Sequence, residues 1–307
     1  MLLELKDVHK SFSEKPVLKG VSFSAKGGSA FGLLGRNGAG KTTTIRILMN
    51  VFSADSGAVE IDGKPIDYRK IKFGYLPEER GMYPKRKVKE QLVYFAMLKG
   101  LSKSEAVSAV DHWLKRMGMT KEAGRKLETL SKGNQQKIQL ITALSHNPDV
   151  IALDEPFSGL DPVNAKLLKD VVAEQIWLNK IVIFSSHQMN YVEEFCDRVA
   201  IIQDGKIALN GDLYRLKKSL AKDKLRIRTS ETDKMLDTLG DRCEKVNAHE
   251  IVFSLKDPSL RKEAMGYLVS HFDVDEIGVY EPSLNEIFIQ YTQGKFAAGK
   301  EAEGERV

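Results

Sequence analysis

The chain has 307 residues, of which 42% are hydrophobic and 29% are charged, and its net charge at pH 7 is +5. This length favours two domains, and the hydrophobic share is ample for a buried core. The charge is mild for the length, so it does not predict a nucleic-acid partner, and we expect none. The two cysteines, Cys196 and Cys243, lie far apart in the sequence, which is typical of reduced thiols in a cytosolic protein.

No stretch approaches the roughly 18 apolar residues that a membrane span requires. The strongest apolar runs, VIAL from Val150 and IVIF from Ile181, are short and predict buried strands. The first residues alternate charged with apolar side chains and lack the continuous apolar core of a signal peptide. We therefore expect a cytoplasmic protein without a membrane span, which reaches a membrane only through a partner.

The N-terminal part predicts short strands joined by turns. The segments LLELKDVHKSF and PVLKGVSFSA alternate apolar and polar residues, which is the period of a half-buried strand. A buried strand is predicted from Ala30, and the segment KTTTIRILMN predicts a helix after it. Asp62 and Gly63 stand between two apolar runs and predict a hairpin.

The pattern turns helical from about Pro84 to Ser145, and Ser102 and Glu105 stand in the register of a capping box there. Strands and helices then alternate, which predicts a mainly parallel sheet. The helical stretch of residues 84–145 is therefore predicted to be an insertion into an α/β core.

A Lys-rich segment near residues 216–224 predicts a link to a second domain. Residues 1–220 are accordingly predicted to form the first domain, and residues 224–292, where strands and helices alternate again, a small α/β domain. The last residues, 293–307, are small and charged and predict a disordered tail.

A phosphate loop is predicted at GRNGAGKT, which fits the pattern G-x-x-x-x-G-K-[ST] between a predicted strand and a predicted helix. Such a loop turns backbone N–H groups and a helix N-terminus toward the phosphates of a nucleotide. Lys41 is expected to reach the β- and γ-phosphates of ATP, and Thr42 to offer a hydroxyl to Mg²⁺. The predicted nucleotide-binding residues of this loop are Gly35, Arg36, Asn37, Gly38, Ala39, Gly40, Lys41, Thr42 and Thr43.

Two further strands predict the rest of a hydrolytic site. VIALDE leads through apolar residues to Asp154, the expected Mg²⁺ partner, and to Glu155, the proposed general base. IVIFSSH places His187 just past another strand, where it is expected to bind the γ-phosphate. Because ligands gather at the carboxyl ends of parallel strands, we expect these residues to meet the phosphate loop.

Together these segments resemble the ATP-binding cassette of ABC transporters. The resemblance comprises, in order, a Walker A motif (GRNGAGKT), the segment YLPEER, a signature motif (LSKGNQQ), a Walker B motif (VIALDE), a D-loop (SGLD) and the switch histidine His187. It covers Met1 to about Leu220. It implies a P-loop NTPase fold with a RecA-like core, an N-terminal antiparallel β subdomain and an inserted helical subdomain, here followed by a small C-terminal α/β domain.

The resemblance also implies a partner for the signature motif. In the family this motif faces the ATP of a second cassette, so Ser131 and Gly133 are expected at the partner's γ-phosphate. A plain helix N-cap at Ser131 is compatible with that role. Asp161 of the D-loop is expected to cross the dimer seam. The second cassette is either another copy of this chain or a different cassette protein.

Two positions depart from the family pattern, and a third matches it. Lys132 replaces a Gly of the signature and points either toward the partner's phosphate or into solvent. Glu78 stands where the family has a Gln that touches Mg²⁺ and water, and a carboxylate there binds the metal but repels phosphate. Phe12 matches the aromatic residue that stacks on adenine, or else is a core phenylalanine.

Residues 64–89 carry nine Lys or Arg against three acidic residues, a balance of +6. This excess predicts attraction to a cytosolic loop of membrane permease subunits, or to the anionic inner leaflet. The segments VYEPSLNEIFIQY and GYLPEERGMYPKRKV resemble cassettes of ABC-2-type exporters and of sodium-extrusion systems. The expected function is thus the ATPase subunit of an efflux transporter at the cytoplasmic face of the membrane.

Two alternatives differ in class. A soluble ABC ATPase that remodels a cytosolic assembly would carry two cassettes or a specialised insertion, whereas this chain has one cassette. A P-loop GTPase needs the guanine-reading pattern Asn-Lys-x-Asp, and the segment from Asn179, NKIV, lacks the Asp.

Overall fold

The computed structural model describes residues 1–79, 81–221 and 223–292. The described chain divides into two compact units, the first of residues 1–211 and the second beginning at Asp212. Each unit has its own hydrophobic core. Among the described residues, every helix is too short or too polar to traverse a lipid bilayer.

The first unit combines two sheets with helices. Its strands in chain order are β1 (Leu2–Phe12), β2 (Lys15–Lys26), β3 (Ser29–Gly35), β4 (Ser56–Ile61), β5 (Lys64–Pro65), β6 (Phe73–Leu76), β7 (Val150–Asp154), β8 (Ile181–Ser186), β9 (Arg198–Gln203) and β10 (Lys206–Asp212). Its helices are α1 (Lys41–Leu48), α2 (Val88–Leu98), α3 (Lys103–Arg116), α4 (Lys132–Leu144), α5 (Pro162–Trp177) and α6 (Met189–Phe195).

The N-terminal sheet has the order β2-β1-β4-β5, and its pairs are antiparallel. Strand β1 buries alternate residues such as Leu3 and Leu5, as its sequence pattern predicts. The predicted hairpin at Asp62 and Gly63 joins β4 to β5, and both residues have positive φ angles, 51° and 72°. The predicted antiparallel β subdomain is therefore present.

The second sheet has the order β10-β9-β3-β8-β7-β6, and β9, β3, β8, β7 and β6 pair in parallel. Its central strands are buried along their whole length, which explains their continuous apolar sequence. Parallel pairing brings the carboxyl ends of β3, β7 and β8 to one edge. Gly35, Asp154 and Ser186 end these strands.

The inserted helices α2, α3 and α4 lie between β6 and β7 in the sequence. Ser102 and Glu105 form the predicted capping box at the start of α3. Helix α4 packs closely on β6, because Gly74 lies so near that a β-carbon there would stand 2.3 Å from the carbonyl oxygen of Ala143. Nε2 of the buried His146 is 2.9 Å from the carbonyl oxygen of Phe73, which ties the end of α4 to β6.

The second unit is a four-stranded antiparallel sheet with helices. Its strands are β11 (Lys224–Thr229), β12 (Cys243–Asn247), β13 (Glu250–Ser254) and β14 (Val274–Val279), in the order β12-β13-β11-β14. Its helices are α7 (Leu213–Leu220), α8 (Thr232–Leu239), α9 (Arg261–His271) and α10 (Leu284–Thr292). The predicted second α/β fold is thus present.

The domain boundaries stay a prediction. In the structure the division falls before α7, whereas the sequence prediction placed α7 within the first domain. The predicted disordered tail, residues 293–307, lies outside the described residues.

Candidate active site

The phosphate-loop segment connects β3 to α1, as its sequence predicts. Gly38 and Gly40 have φ angles of 79° and 116°, which L-residues with a β-carbon rarely adopt. A β-carbon on Gly40 would also stand 2.6 Å from a methyl carbon of Leu18. Helix α1 begins at Lys41 and has no acidic residue in its first turn, so its N-terminus favours an anion.

The Lys41 side chain lies across this loop. It is only 6% exposed, and its ammonium donates to the carbonyl oxygens of Gly35 at 2.8 Å and Arg36 at 3.4 Å. Burying an ammonium group is costly unless acceptors surround it. The loop therefore holds the Lys41 ammonium next to a helix N-terminus, and both features suit a polyphosphate.

A cleft of about 420 Å³ opens beside the phosphate loop. Its lining comes from three of the predicted segments and from β2: Val17, Asn37, Gly38, Gly40, Lys41, Thr42, Thr43, Glu78, Asp154 and Glu155. The cleft lies at the sheet edge predicted from strand order, and its lining contains the Lys41 ammonium and three carboxylates.

Asp154 ends β7 at the floor of the cleft and is 1% exposed. Its carboxylate accepts hydrogen bonds from the hydroxyl of Thr42 at 3.0 Å and from the hydroxyl of Ser185. This carboxylate and the Thr42 hydroxyl are the oxygen ligands that Mg²⁺ prefers, and Glu78 lines the same cleft.

The described residues contain no cluster of three His, Cys, Asp or Glu side chains that could hold a metal. Mg²⁺ sites at nucleotides commonly use one or two carboxylates together with the phosphates of the substrate. The donor set of Thr42, Asp154 and Glu78 fits that kind of site.

Glu155 follows Asp154 and has a φ angle of 51°, a left-handed conformation that is uncommon for a residue with a β-carbon. The turn directs its carboxylate to the end of β8 and the residue that follows it. There it accepts hydrogen bonds from the Ser186 hydroxyl at 3.2 Å and from the backbone N–H of His187 at 2.9 Å. The ring Nδ1 of His187 is 2.7 Å away. Because a carboxylate only accepts, Nδ1 carries the proton in this contact.

The sequence reasoning missed four residues around these carboxylates. Ser185 and Ser186 hold Asp154 and Glu155, and their position at the end of an apolar strand was the available signal. Val17 lines the cleft from β2, and no sequence signal marks it. Tyr75 on β6 is partly buried. Burial raises the pKa of its hydroxyl, and the charge of Asp154 raises it further.

The remaining predicted residues lie elsewhere. Phe12 is 45% exposed, so it is not a core phenylalanine, and it packs edge-on against Phe52 at 5.3 Å between ring centroids. Ser131, Gly133 and Asp161 do not line the described cleft.

Ser131 and Asp161 each form the N-cap of a helix. Ser131 accepts from the N–H of Asn134 at 3.3 Å at the start of α4. Asp161 accepts from the N–H groups of Val163 and Asn164, each at 3.0 Å, at the start of α5. The hydrogen bond from Asn164 contributes most to holding the pKa of Asp161 below its usual range.

Comparison with known proteins identifies the fold and the family. Residues 18–158 match the family model described as ABC transporter, and residues 211–292 match the C-terminal domain of DrrA1-3-like ATP-binding proteins. The chain is 40% identical over 291 residues to YhaQ, an uncharacterized ABC transporter ATP-binding protein of Bacillus subtilis, covering 94% of this chain and 98% of that protein. The chain belongs to the family of ABC transporter ATP-binding proteins.

Another relative of this ABC protein has a more informative name. The linearmycin resistance ATP-binding protein LnrL of Bacillus subtilis is 31% identical over 308 residues, covering 95% of this chain and 98% of its own length. The resemblance to cassettes of the ABC-2 exporter type is confirmed by this relative and by the matched C-terminal domain.

Solved structures give the same fold. An ATP-binding subunit of an ABC transporter superposes with a TM-score of 0.66 at 30% identity, over 72% of this chain and 93% of that chain. The dimeric bacterial cassette MJ0796 superposes with a TM-score of 0.62 at 24% identity, over 68% and 98%. The predicted fold class is confirmed, and this ABC protein is an ATPase. ABC ATP-binding subunits of this kind dimerise and pair with membrane permeases.

Proposed function

We propose that this chain binds and hydrolyses ATP for an ABC efflux transporter and thereby powers a separately encoded membrane permease. The observation that carries the proposal is the cleft lined by the phosphate loop, Asp154 and Glu155, with His187 in contact with the Glu155 carboxylate. Each of these parts alone occurs in many proteins, whereas their convergence at one sheet edge suits phosphoryl transfer to water.

The residues divide the chemistry among them. Lys41 and the N-terminus of α1 bind the β- and γ-phosphates of ATP. Thr42, Asp154 and Glu78 would hold Mg²⁺, and the bound ion would neutralise phosphate charge. Glu155 accepts the proton of the attacking water, and His187 orients that carboxylate and binds the γ-phosphate. Phe12, whose ring is half-exposed, stacks on the adenine.

The site is completed by a second cassette. Ser131 and Gly133 stand at the N-terminus of α4 but outside the cleft of their own chain, which supports a role at the partner's phosphate. Asp161 is part of the same interface between the two cassettes. The dimeric cassette among the structural neighbours supports such an arrangement. Its partner is a second copy of this chain or a related cassette.

A groove near the start of α2 is the proposed docking place for the permease. It has a volume of about 460 Å³ and is lined by Tyr83, Arg86, Glu90, Gln91 and Tyr94. Gln91 shapes it, because its amide accepts from the N–H of Tyr83 at 3.1 Å and donates to the Arg86 carbonyl at 3.3 Å. The two half-exposed tyrosines offer apolar area, and the excess of basic residues over 64–89 attracts an acidic cytosolic loop.

This docking puts the chain at the cytoplasmic face of the membrane. The cargo is sodium or another small molecule, selected by the permease. The name of LnrL supports an export role, since resistance to a toxic compound is a usual result of its removal. A soluble ABC ATPase that remodels a cytosolic assembly is not favoured, because the relatives are transporter subunits over nearly the whole chain.

The replacement Glu155→Gln tests the active-site assignment. The amide keeps the size of the side chain but cannot accept the proton of water, so we expect the rate of hydrolysis to fall roughly 100-fold or more while ATP binding is retained. Because separation of the cassettes follows hydrolysis, this variant should accumulate an ATP-bound dimer. The measurements are steady-state ATPase rate, nucleotide affinity and size-exclusion chromatography with ATP.

The matched control is Glu60→Gln, which makes the same chemical change at an exposed ion pair with Lys6, 2.7 Å long. It should behave like the parent, because such pairs contribute little. Hydrolysis at the parental rate in the Glu155 variant would refute the base assignment. The transporter part fails if the chain, recovered from host membranes in detergent, is accompanied by no protein with several membrane spans.

A further inference from the structure

A cluster of aromatic rings, Phe157, Phe184, Tyr191 and Phe195, lies in the first unit. The rings of Phe157 and Tyr191 stack, with centroids 4.3 Å apart and planes inclined by 24°. Phe157 also stacks on Phe184 at 6.1 Å and on Phe195 at 5.9 Å. Phe157 and Phe184 are only 4% and 2% exposed. Phe157 is therefore the member that touches all the others.

Two members of the cluster, Phe184 and Tyr191, flank the His187 segment, residues 185–190, in the chain. Phe157 comes two positions after Glu155 in the sequence. Phe184 stands on β8 before His187, and Tyr191 stands on α6 after it. One ring thus contacts both flanks of the His187 segment and is joined by a short stretch of backbone to the carboxylate that His187 binds.

Tyr191 also has a contact outside the aromatic cluster. The ammonium of Lys169 on α5 lies 5.0 Å from the centroid of the Tyr191 ring, which is within the range of a cation–π contact. Lys169 in turn forms an ion pair with Glu194, one turn further along α6. The Tyr191 ring therefore has a cation on one element and the Phe157 ring on another to fix its orientation.

We infer that Phe157 is a positioning residue for ATP hydrolysis and acts through His187. Its ring keeps the His187 segment at the distance that lets Nδ1 contact the Glu155 carboxylate at 2.7 Å. The inference rests on the proposed roles of Glu155 and His187. A firm support is needed there, because Glu155 has a left-handed backbone conformation that persists only when its surroundings determine it.

The replacement Phe157→Leu tests the inference. Leucine keeps an apolar side chain but removes the stacked ring, so the His187 segment loses a fixed contact on both flanks. We expect kcat to fall roughly tenfold to a hundredfold, as for small misplacements of catalytic groups. The KM for ATP should change little, because the phosphate loop is built on other elements. Thermal unfolding shows whether the fold is kept.

Phe195→Leu is the matched control. Phe195 belongs to the same cluster, yet it ends α6 and is farther along the chain from His187 than Tyr191. Its loss leaves both the Phe157–Tyr191 and the Phe157–Phe184 stacks in place. We expect a parental kcat for this variant. An equal fall of kcat in both variants would show general damage to the core and would overturn the inference.

A double replacement separates positioning from packing. With His187→Ala already present, Phe157→Leu should cause no further fall in single-turnover rate, because the residue through which it acts is gone. If His187→Ala is slow and the double variant is slower still, by the full factor that Phe157→Leu causes alone, the inference is overturned. The proposed function would still stand. A parental rate for His187→Ala alone would overturn the proposed role of His187 and, with it, the role of Phe157.

Discussion

At the scale of single residues, the side chains proposed to do the chemistry are buried and have hydrogen-bond partners. Lys41, Asp154 and Glu155 are all nearly inaccessible, and each has partners that compensate its burial. His146 is just as buried but serves packing. Burial lowers the pKa of its imidazole to about 4, although a hydrogen bond to Phe73 opposes the change. Burial of an ionisable side chain thus accompanies a proposed active site in one place and a packing contact in another.

His146 predicts a dependence of stability on pH. The unfolded chain binds a proton on this imidazole near pH 6.5, whereas the native chain does so only near pH 4. Between these values the unfolded state binds more protons, so stability present above pH 6.5 is lost as the pH falls toward 4. Relative to His146→Gln, whose amide can still donate to Phe73, the parent should lose roughly 2–3 kcal/mol of unfolding free energy.

Urea unfolding of both proteins from pH 7.5 to pH 4 measures this difference. His112→Gln, at an exposed position, is the control and should follow the parent. Parallel curves for the parent and His146→Gln would contradict the prediction.

At the scale of elements, the site depends on how α4 meets the parallel sheet. Gly74 lets β6 approach Ala143 of α4, and β6 leads to Glu78 in the cleft. Ser131 caps the N-terminus of α4, and the other end of α4 packs on β6. The packing of this helix therefore places both the signature segment and the strand that leads to Glu78. Neither propensity nor capping could set that placement, since both act within one element.

The replacement Gly74→Ala should therefore destabilise the first unit. The added methyl group would meet the Ala143 carbonyl oxygen at 2.3 Å and Pro148 at 2.9 Å, and overpacking of this kind costs roughly 1–3 kcal/mol. The control is Gly81→Ala, where a β-carbon meets open space. Equilibrium unfolding in urea measures both, and equal stability of the two variants would refute the close approach.

At the scale of the whole molecule, the proposed site is incomplete in one chain. The described cleft contains the phosphate loop and the carboxylates, whereas Ser131 and Gly133 are absent from its lining. A head-to-tail pair would bury each nucleotide between the phosphate loop of one chain and α4 of the other. In that arrangement each chain would need its partner for hydrolysis, and separation of the pair after hydrolysis would be available to move the proposed permease.

Complementation between two inactive variants tests this pairing. Ser131→Asp keeps an N-cap at α4 but repels the partner's phosphate, and Lys41→Gln removes the loop cation. Each variant alone should be nearly inactive. Co-expressed, they form mixed dimers with one intact composite site, so roughly a quarter of the parental rate should return for random pairing. Ser131→Asn, a neutral cap, should stay active. No recovery in the mixture would contradict the exchange between chains.

Much of the fold and part of the site were determined by the sequence itself. Alternating and continuous apolar runs predicted the two kinds of sheet, because burial on one face or on two imposes those patterns. Capping residues marked the starts of α3 and α4. The positions of the phosphate loop, Asp154 and Glu155 at strand ends followed from the sequence, because each of these segments consists of one strand and the turn after it. Their roles in hydrolysis stay a prediction.

Only the tertiary structure decided the rest. It brought Ser185 and Ser186 to the two carboxylates, placed Val17 in the cleft, and stacked Phe157 against Tyr191. It also showed that Phe12 is half-exposed rather than buried. These contacts join elements that are distant in the chain, and their distances depend on how whole helices and strands pack. A local sequence pattern indicates which face of an element is buried, but it does not indicate which other element packs on that face.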